Sequence, residues 1–250
     1  MTSPEEVLAG GGINHVVRIG ATVRRPAQAW SPRVHQLFEH LQTRGFTGAP
    51  RSFGTDPAGR DVFGFLPGDV GHDPWTPQVA GDTALTSAAR LLRAYHDATA
   101  DVAASWRGGW QKPAMEPVEV ICHNDLAPYN CVYDGEQATG LIDFDTAAPG
   151  PRSWDLGYAI YRFVPLGSAA GPRTGERLEL FFDAYGAGEP LRRASLDAVV
   201  PRLLDLTDHM RAAASRAARR SGSSAPYASK NSSSRSPVRG PAAEPSGTNR

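Results

Sequence analysis

Three oxygen-bearing side chains, Asp125, Asn130 and Asp143, stand at the ends of short apolar runs in this 250-residue chain. Asp125 and Asn130 lie in His123-Asn124-Asp125-Leu126-Ala127-Pro128-Tyr129-Asn130, between the apolar runs Val118–Cys122 and Cys131–Tyr133. Asp143 opens Asp143-Phe144-Asp145, directly after the run that ends at Ile142. Such a set suits phosphoryl transfer. One carboxylate can orient an attacking hydroxyl and take its proton, while a carboxylate and an amide oxygen hold Mg²⁺ against nucleotide phosphates. Asparagine fits a metal position there because it supplies oxygen without adding charge beside a triphosphate. A zinc site on His123 and Asp125 is a rival, although no His/Cys pairs occur at structural or catalytic spacing. A metal-dependent hydrolase built on His123, Asp125 and Asp143 is another.

The surrounding pattern predicts elements able to hold these loops in place. Residues 7–25 read as a hairpin around Gly10-Gly11-Gly12. A helix follows from about Ser31, a candidate N-cap, through Val34, Leu37, Phe38 and Leu41 to a stop at Gly45. Strands are expected near 51–54 and 61–66. Strand, strand, helix, strand, strand makes a small lobe over residues 1–66. The Gly/Pro/Asp-rich stretch 67–82 reads as a hinge or connector. Residues 83–212 read as a second, mainly helical lobe. It opens on an amphipathic helix, Thr83 to Thr99, with Leu85, Ala88, Ala89, Leu92 and Tyr95 on one side. Short strands are expected at 118–122, 131–133 and 139–142, and helices at 154–163, 175–185 and 195–212. Residues 213–250 are rich in Ser, Arg and Pro and hold few large apolar side chains, so disorder is expected there.

The formal charge is zero, but its distribution is uneven. From Arg211 to Arg250 there are eight Lys/Arg and the single acid Glu244, whereas residues 1–210 hold 18 basic and 25 acidic side chains. An acidic body disfavours nucleic acid as a partner, since phosphate binding relies on Lys/Arg neutralisation, and it tolerates a cationic substrate. No run of 18 apolar residues predicts a membrane span, and the N-terminus lacks the basic and apolar regions of a secretory signal. Cys122 and Cys131, the two cysteines, read as buried, reduced thiols in a cytoplasmic protein.

His123 to Asn130 resembles the kinase catalytic loop H-R-D-L-x-x-x-N with Asn124 in place of Arg, and Asp143-Phe144-Asp145 resembles D-F-G with Asp145 in place of Gly. Those two departures, the segment Pro149 to Gly157 and the helix from Ala88 to Asp97 are similar to the aminoglycoside phosphotransferase family. The resemblance spans about residues 10–210 and is specific over 118–160. It implies an α+β, two-lobed protein-kinase-like fold with a small β-rich N-lobe and a larger, mainly helical C-lobe. It further implies Asp125 as catalytic base, Asn130 and Asp143 as Mg²⁺ ligands, and His123 as an organiser of the loop. Asp155 is expected to cap its helix and brace the loops. The implied activity moves the γ-phosphate of ATP or GTP to a hydroxyl of a small molecule, such as an aminoglycoside-like compound, an amino alcohol or a sugar. The alternative is a kinase-like binding protein with little or no catalysis.

The N-terminal lobe departs from that pattern. Kinase folds hold the phosphates with a lysine on the third strand, yet no lysine precedes Lys112. Arg24 or Arg25 stands where that lysine is expected, and strand alternation that turns Val23 inward turns Arg25 inward too. Glu39 is the expected acidic partner, with His35 as an alternative. Gly11 and Gly12 could form the turn that covers the phosphates, and Leu66, in Phe65-Leu66-Pro67-Gly68, could sit at the hinge beside the base. Relatives commonly continue with further helices where this chain turns Ser/Arg/Pro-rich, so an altered C-terminus is expected.

Overall fold

The computed structural model describes residues 4–8 and 16–220. A five-stranded antiparallel sheet comes first, from β1 (Glu6–Val7), β2 (Val17–Ile19), β3 (Thr22–Pro26), β4 (Ser52–Thr55) and β5 (Arg60–Gly64), in the order β1-β2-β3-β5-β4. Helix α1 (Ser31–Thr43) is inserted between β3 and β4 and buries Val34, Leu37, Phe38 and Leu41. Gly45 ends it in the left-handed region at φ +73, where a residue without Cβ is unstrained. Ser31 is not the helix cap expected of it. Trp30 occupies that position, and Ser31 Oγ instead donates to Asp61 Oδ2 while accepting from the Gln28 N–H.

The connector is more ordered than its composition suggests. β6 (Asp69–Val70) pairs with β8 (Cys131–Asp134), which itself pairs with β9 (Gln137–Leu141), and the short α2 (Pro77–Ala80) follows. Gly68 makes the approach possible. Its φ is +137, and a Cβ there would stand 2.4 Å from the Tyr133 carbonyl oxygen. Gly68→Ala is therefore expected to cost about 1–3 kcal/mol, read as a lower denaturant midpoint at unchanged slope.

Helix α3 (Asp82–Thr99) is the axis of the larger part. Leu85, Ala88, Ala89, Leu92 and Tyr95 are all fully buried, against β9 on one side and α5 (Thr174–Tyr185) on another. β7 (Val120–Cys122) pairs with β10 (Ala148–Gly150), and α4 (Arg152–Phe163) follows directly. β10 is not among the expected strands, since Pro and Gly are disfavoured inside a strand. Pairing with β7 brings the chain from the Asp143 loop back beside His123.

The last helix, α6, runs Glu189–Arg220, longer than the expected 195–212. Disorder from residue 213 is thus corrected as far as Arg220. The Ala/Arg-rich run after Arg211 has strong intrinsic helix propensity, which a count of large apolar side chains misses. The expected disordered residues 221–250 lie outside the described ones. The described residues to Thr207 form one compact unit, and those from Asp208 a second. In the second, Arg211 pairs with Asp208 at 3.3 Å one helical turn away. Among the described residues no helix is long and apolar enough to cross a membrane.

Candidate active site

Two left-handed residues shape the site: Asn124 at φ 64 and Asp143 at φ 61. Non-glycine residues adopt this region at a cost, and Asn and Asp tolerate it best. The turn at Asn124 is held from below. Asp155, fully buried on α4, accepts the backbone N–H of His123 at 2.6 Å and that of Asn124 at 2.8 Å. His96 Nε2 on α3 reaches the same carboxylate at 3.0 Å, and its Nδ1 meets the Tyr185 hydroxyl at 2.8 Å. Burial pushes the Asp155 carboxyl up, but the His96 hydrogen bond, nearby imidazole charge and the His123 amide outweigh it and hold the carboxyl below the usual range. Burial lowers the His96 pKa despite the carboxylate beside it. Asp155 braces the loop as expected, but it does not cap α4, whose cap position is Pro151.

His123 spends both ring nitrogens inside the protein. Nε2 donates to the Ile142 carbonyl at 3.0 Å, and Nδ1 accepts the Asp125 N–H at 3.3 Å. This ties the catalytic-type loop to the segment between β9 and Asp143. Phe144 locks the same junction from the other side. It is 1% exposed and meets the rings of Phe38, Tyr95 and His123 at 5.0, 5.5 and 4.6 Å. Such ring pairs contribute about 0.5–1.5 kcal/mol each beyond area burial.

Asp125 sits among these supports with its two oxygens differently engaged. Tyr129 donates its hydroxyl to Oδ1 at 3.0 Å, and Asn130 Nδ2 donates to Oδ2 at 2.9 Å. The same amide nitrogen donates to the Asp125 carbonyl at 2.9 Å, so the Asn130 side-chain oxygen is turned the other way. Each carboxylate oxygen keeps lone-pair capacity for a further donor. Burial, then the Asp125 carboxylate, pushes the Tyr129 hydroxyl up to about 12. Tyr158 OH lies 3.0 Å from Tyr129 OH and extends the chain of hydroxyls.

Asp143 opens towards solvent at the mouth of the site. The protein around it, then the charges of Asp145 and Asp125, raise its carboxyl above the usual range, against the pull of Arg25 and His123. A cation would relieve this crowding of carboxylates. The candidate donors would be one carboxylate, Asp143, and one amide oxygen, Asn130. That fits a hard cation completed by phosphate oxygens and water, as Mg²⁺ is beside a nucleotide.

The structure separates the two arginines. Arg25 points inward, 2.6 Å from Asp145 and 3.5 Å from the buried Asp61, and its Nε has no hydrogen-bond partner among the described residues. Arg24 is not at the site. Its guanidinium bonds Thr22 Oγ1 at 2.8 Å and lies 3.6 Å from Asp56, as strand alternation requires. Glu39 is also displaced from its expected role. It lies on the exposed face of α1 with no ion pair among the described residues, because the buried Val34, Leu37, Phe38 and Leu41 define the opposite face. His35 takes the inward position instead, with Nε2 3.1 Å from Asp61 Oδ1. Leu66 is half-buried over β9, against Gly140, where a Cβ would stand 2.8 Å from its Cδ1. Gly11 and Gly12 lie outside the described residues.

Sequence reasoning missed Asp61, Tyr129, Tyr158 and Arg202. Arg202 on α6 is 1% exposed, donates to the Asn124 carbonyl and lies 4.5 Å from the centre of the Tyr158 ring. An arginine in an ordinary helix carries no sequence signal of burial, whereas Tyr129 was visible inside the motif.

The profile of the phosphotransferase enzyme family, APH, matches residues 110–196, the stretch that holds every residue of this loop and Asp143. Over 214 residues the chain is 31% identical to the trifolitoxin immunity protein of Rhizobium leguminosarum bv. trifolii, covering 78% of this chain and 79% of that one. The chain belongs to the APH phosphotransferase enzyme family. Among solved structures, an APH enzyme, aminoglycoside 2'-phosphotransferase-IIIa in its GDP complex, superposes with a TM-score of 0.57 at 15% identity, over 85% of this chain and 87% of that one. Ethanolamine kinase of Plasmodium vivax gives 0.56 at 12% identity, over 80% and 72%. These likenesses show the protein-kinase-like fold, with its β-rich N-terminal part and helical C-terminal part. In this chain Arg25 and Asp145 join the third strand to the Asp-Phe-Asp segment.

Proposed function

We propose that this chain is a Mg²⁺-dependent phosphotransferase that moves the γ-phosphate of ATP or GTP to a hydroxyl of a small molecule. The observation that carries the reading is Asp125, fixed through Oδ1 and Oδ2 by Tyr129 and Asn130 yet able to accept one more hydrogen bond. In this account the acceptor hydroxyl donates to Asp125. Its oxygen bonds the γ-phosphorus as the bond from that phosphorus to the β–γ bridging oxygen breaks, and the proton passes to the carboxylate. Asn130 and Asp143 would hold the metal, which when bound neutralises phosphate charge. His123 acts through the backbone, and Arg25 places positive charge beside Asp143. The acceptor classes expected from the sequence are an aminoglycoside-like compound, an amino alcohol or a sugar. The reading places the protein in the cytoplasm, without nucleic acid or membrane as partner.

A second reading, a kinase-like binding protein with little or no catalysis, is favoured by one observation. The only residue of β3 that reaches the site, Arg25, is already ion-paired with Asp145. Either reading accommodates a role like that of the Rhizobium relative, by modifying a toxic compound or by sequestering it. Thermal denaturation with and without Mg²⁺ and nucleotide tests the nucleotide site. Wild type is expected to rise by several degrees with Mg·ATP or Mg·GTP, and Asp143→Ala to lose most of that rise. No rise in wild type with either nucleotide contradicts both readings in which nucleotide binds.

A further inference from the structure

Asp125 divides its surroundings. On the Oδ2 side stand Asn130 and, beyond it, the segment after β9 that leads through Ile142 to Asp143. On the Oδ1 side stand Tyr129, Tyr158 and Arg162. Tyr158 and Arg162 are one turn apart on α4, and the Arg162 guanidinium lies 5.0 Å from the centre of the Tyr129 ring, whose hydroxyl touches Asp125. The Arg162 side chain is half-buried, makes no ion pair or hydrogen bond among the described residues, and has its Nε enclosed without a partner.

Other arginines of the larger part find acids: Arg93 and Arg152 pair with Asp97, and Arg177 with Asp82. The dipole of α4 favours a cation in its last turn, but it does not require one leaning over the tyrosine that contacts the candidate base. A partly enclosed guanidinium without an anion is costly, and a carboxylate or phosphate is the group its planar fork fits best.

We infer that Arg162 binds an anionic group of the acceptor, so that the substrate is a small hydroxylated anion rather than a polycation. This rests on the phosphotransferase reading and narrows it. The acidic balance of the whole body tolerates a cationic acceptor. The local charge on the Oδ1 side of Asp125 points the other way, and it is local charge that an acceptor meets. Tyr129 and Tyr158 would line the path between the anion and the reacting hydroxyl.

The test compares glycerate, glycerol 3-phosphate, glycerol and ethanolamine as acceptors with Mg·ATP and Mg·GTP. One or both anions are expected to be phosphorylated in preference to glycerol and ethanolamine, and the two anions distinguish carboxylate from phosphate. Arg162→Ala is expected to raise the KM of the preferred anion about 10- to 100-fold, with the nucleotide KM little changed, and Arg162→Lys to recover part of the loss. Turnover of ethanolamine or glycerol in preference to both anions would overturn the inference and leave the phosphotransferase reading standing. An Arg162→Ala variant with unchanged KM for the anion would overturn it too. If no acceptor is turned over, calorimetric titration of the two anions into the complex with Mg²⁺ and a non-hydrolysable ATP analogue decides. Binding that Arg162→Ala abolishes supports the inference, and no binding to wild type overturns it.

Discussion

Replacing Asp125 by Asn is expected to lower kcat for acceptor phosphorylation by about 10²–10⁴-fold, the range typical of a lost general base. Nucleotide KM should change little, because in the proposed mechanism Asp125 would meet the acceptor hydroxyl while Asn130 and Asp143 would hold the metal beside the phosphates. The substitution keeps volume and one oxygen. That oxygen can still accept from Tyr129 or Asn130, so the fold is retained, and matching melting curves would establish this. Steady-state kinetics with either nucleotide measure the effect. A variant with wild-type kcat would remove Asp125 from the base role and with it the division of the site into a metal side and an acceptor side.

The second large effect is on stability. Asp155→Ala leaves the His123 and Asn124 amides and His96 Nε2 facing an emptied, fully buried position. Unfolding free energy should fall by about 3–5 kcal/mol, the cost of breaking a buried charged network by removing one partner. The pH dependence follows from both partners. Asp155 has a folded pKa depressed below its unfolded value of about 3.9, so its contribution is complete above that pH and is lost as pH falls through the folded pKa. His96 also has a lowered folded pKa. The unfolded chain therefore binds a proton first, from about pH 6.5 downward, and stability begins to decline there. Denaturant titrations from pH 7 to pH 2 should show a decline in wild type, from His96 first and from the carboxylate below about pH 4. In Asp155→Ala the part due to the carboxylate should be absent. An equal acid decline in both proteins would contradict this assignment.

The larger part of the fold was legible because its signals are local and periodic. The buried face of α3 repeats at helical spacing, and each loop of the Asp125, Asn130 and Asp143 set follows an apolar strand. What was not legible depends on distant partners. Ser31 and Glu39 looked like a cap and an ion-pair partner from their positions along a helix. The apolar face Val34, Leu37, Phe38 and Leu41 turned inward, and the buried partner that Ser31 and His35 meet beside it, Asp61, comes from a separate strand. Arg24 and Arg25 were separated by alternation, but the carboxylate that holds Arg25 came from Asp145, read in the sequence only as a missing glycine. β10 was hidden by its Pro-Gly composition, and the extension of the last helix beyond residue 212 by its lack of large apolar residues. Tyr158, Arg162 and Arg202 sit on helices whose patterns do not announce which polar residue faces a loop, so the acceptor side of the site emerged only in three dimensions.

The most direct test of the central claim is transfer of label from γ-³²P-labelled ATP and GTP to hydroxylated acceptors by the purified chain with Mg²⁺, with anionic, neutral and cationic acceptors in parallel. The account predicts labelled acceptor and nucleoside diphosphate in equal amounts, dependent on Mg²⁺ and lost in Asp143→Ala. Labelled inorganic phosphate formed at the same rate with and without any acceptor, or no label released from either nucleotide across the whole panel, would contradict it.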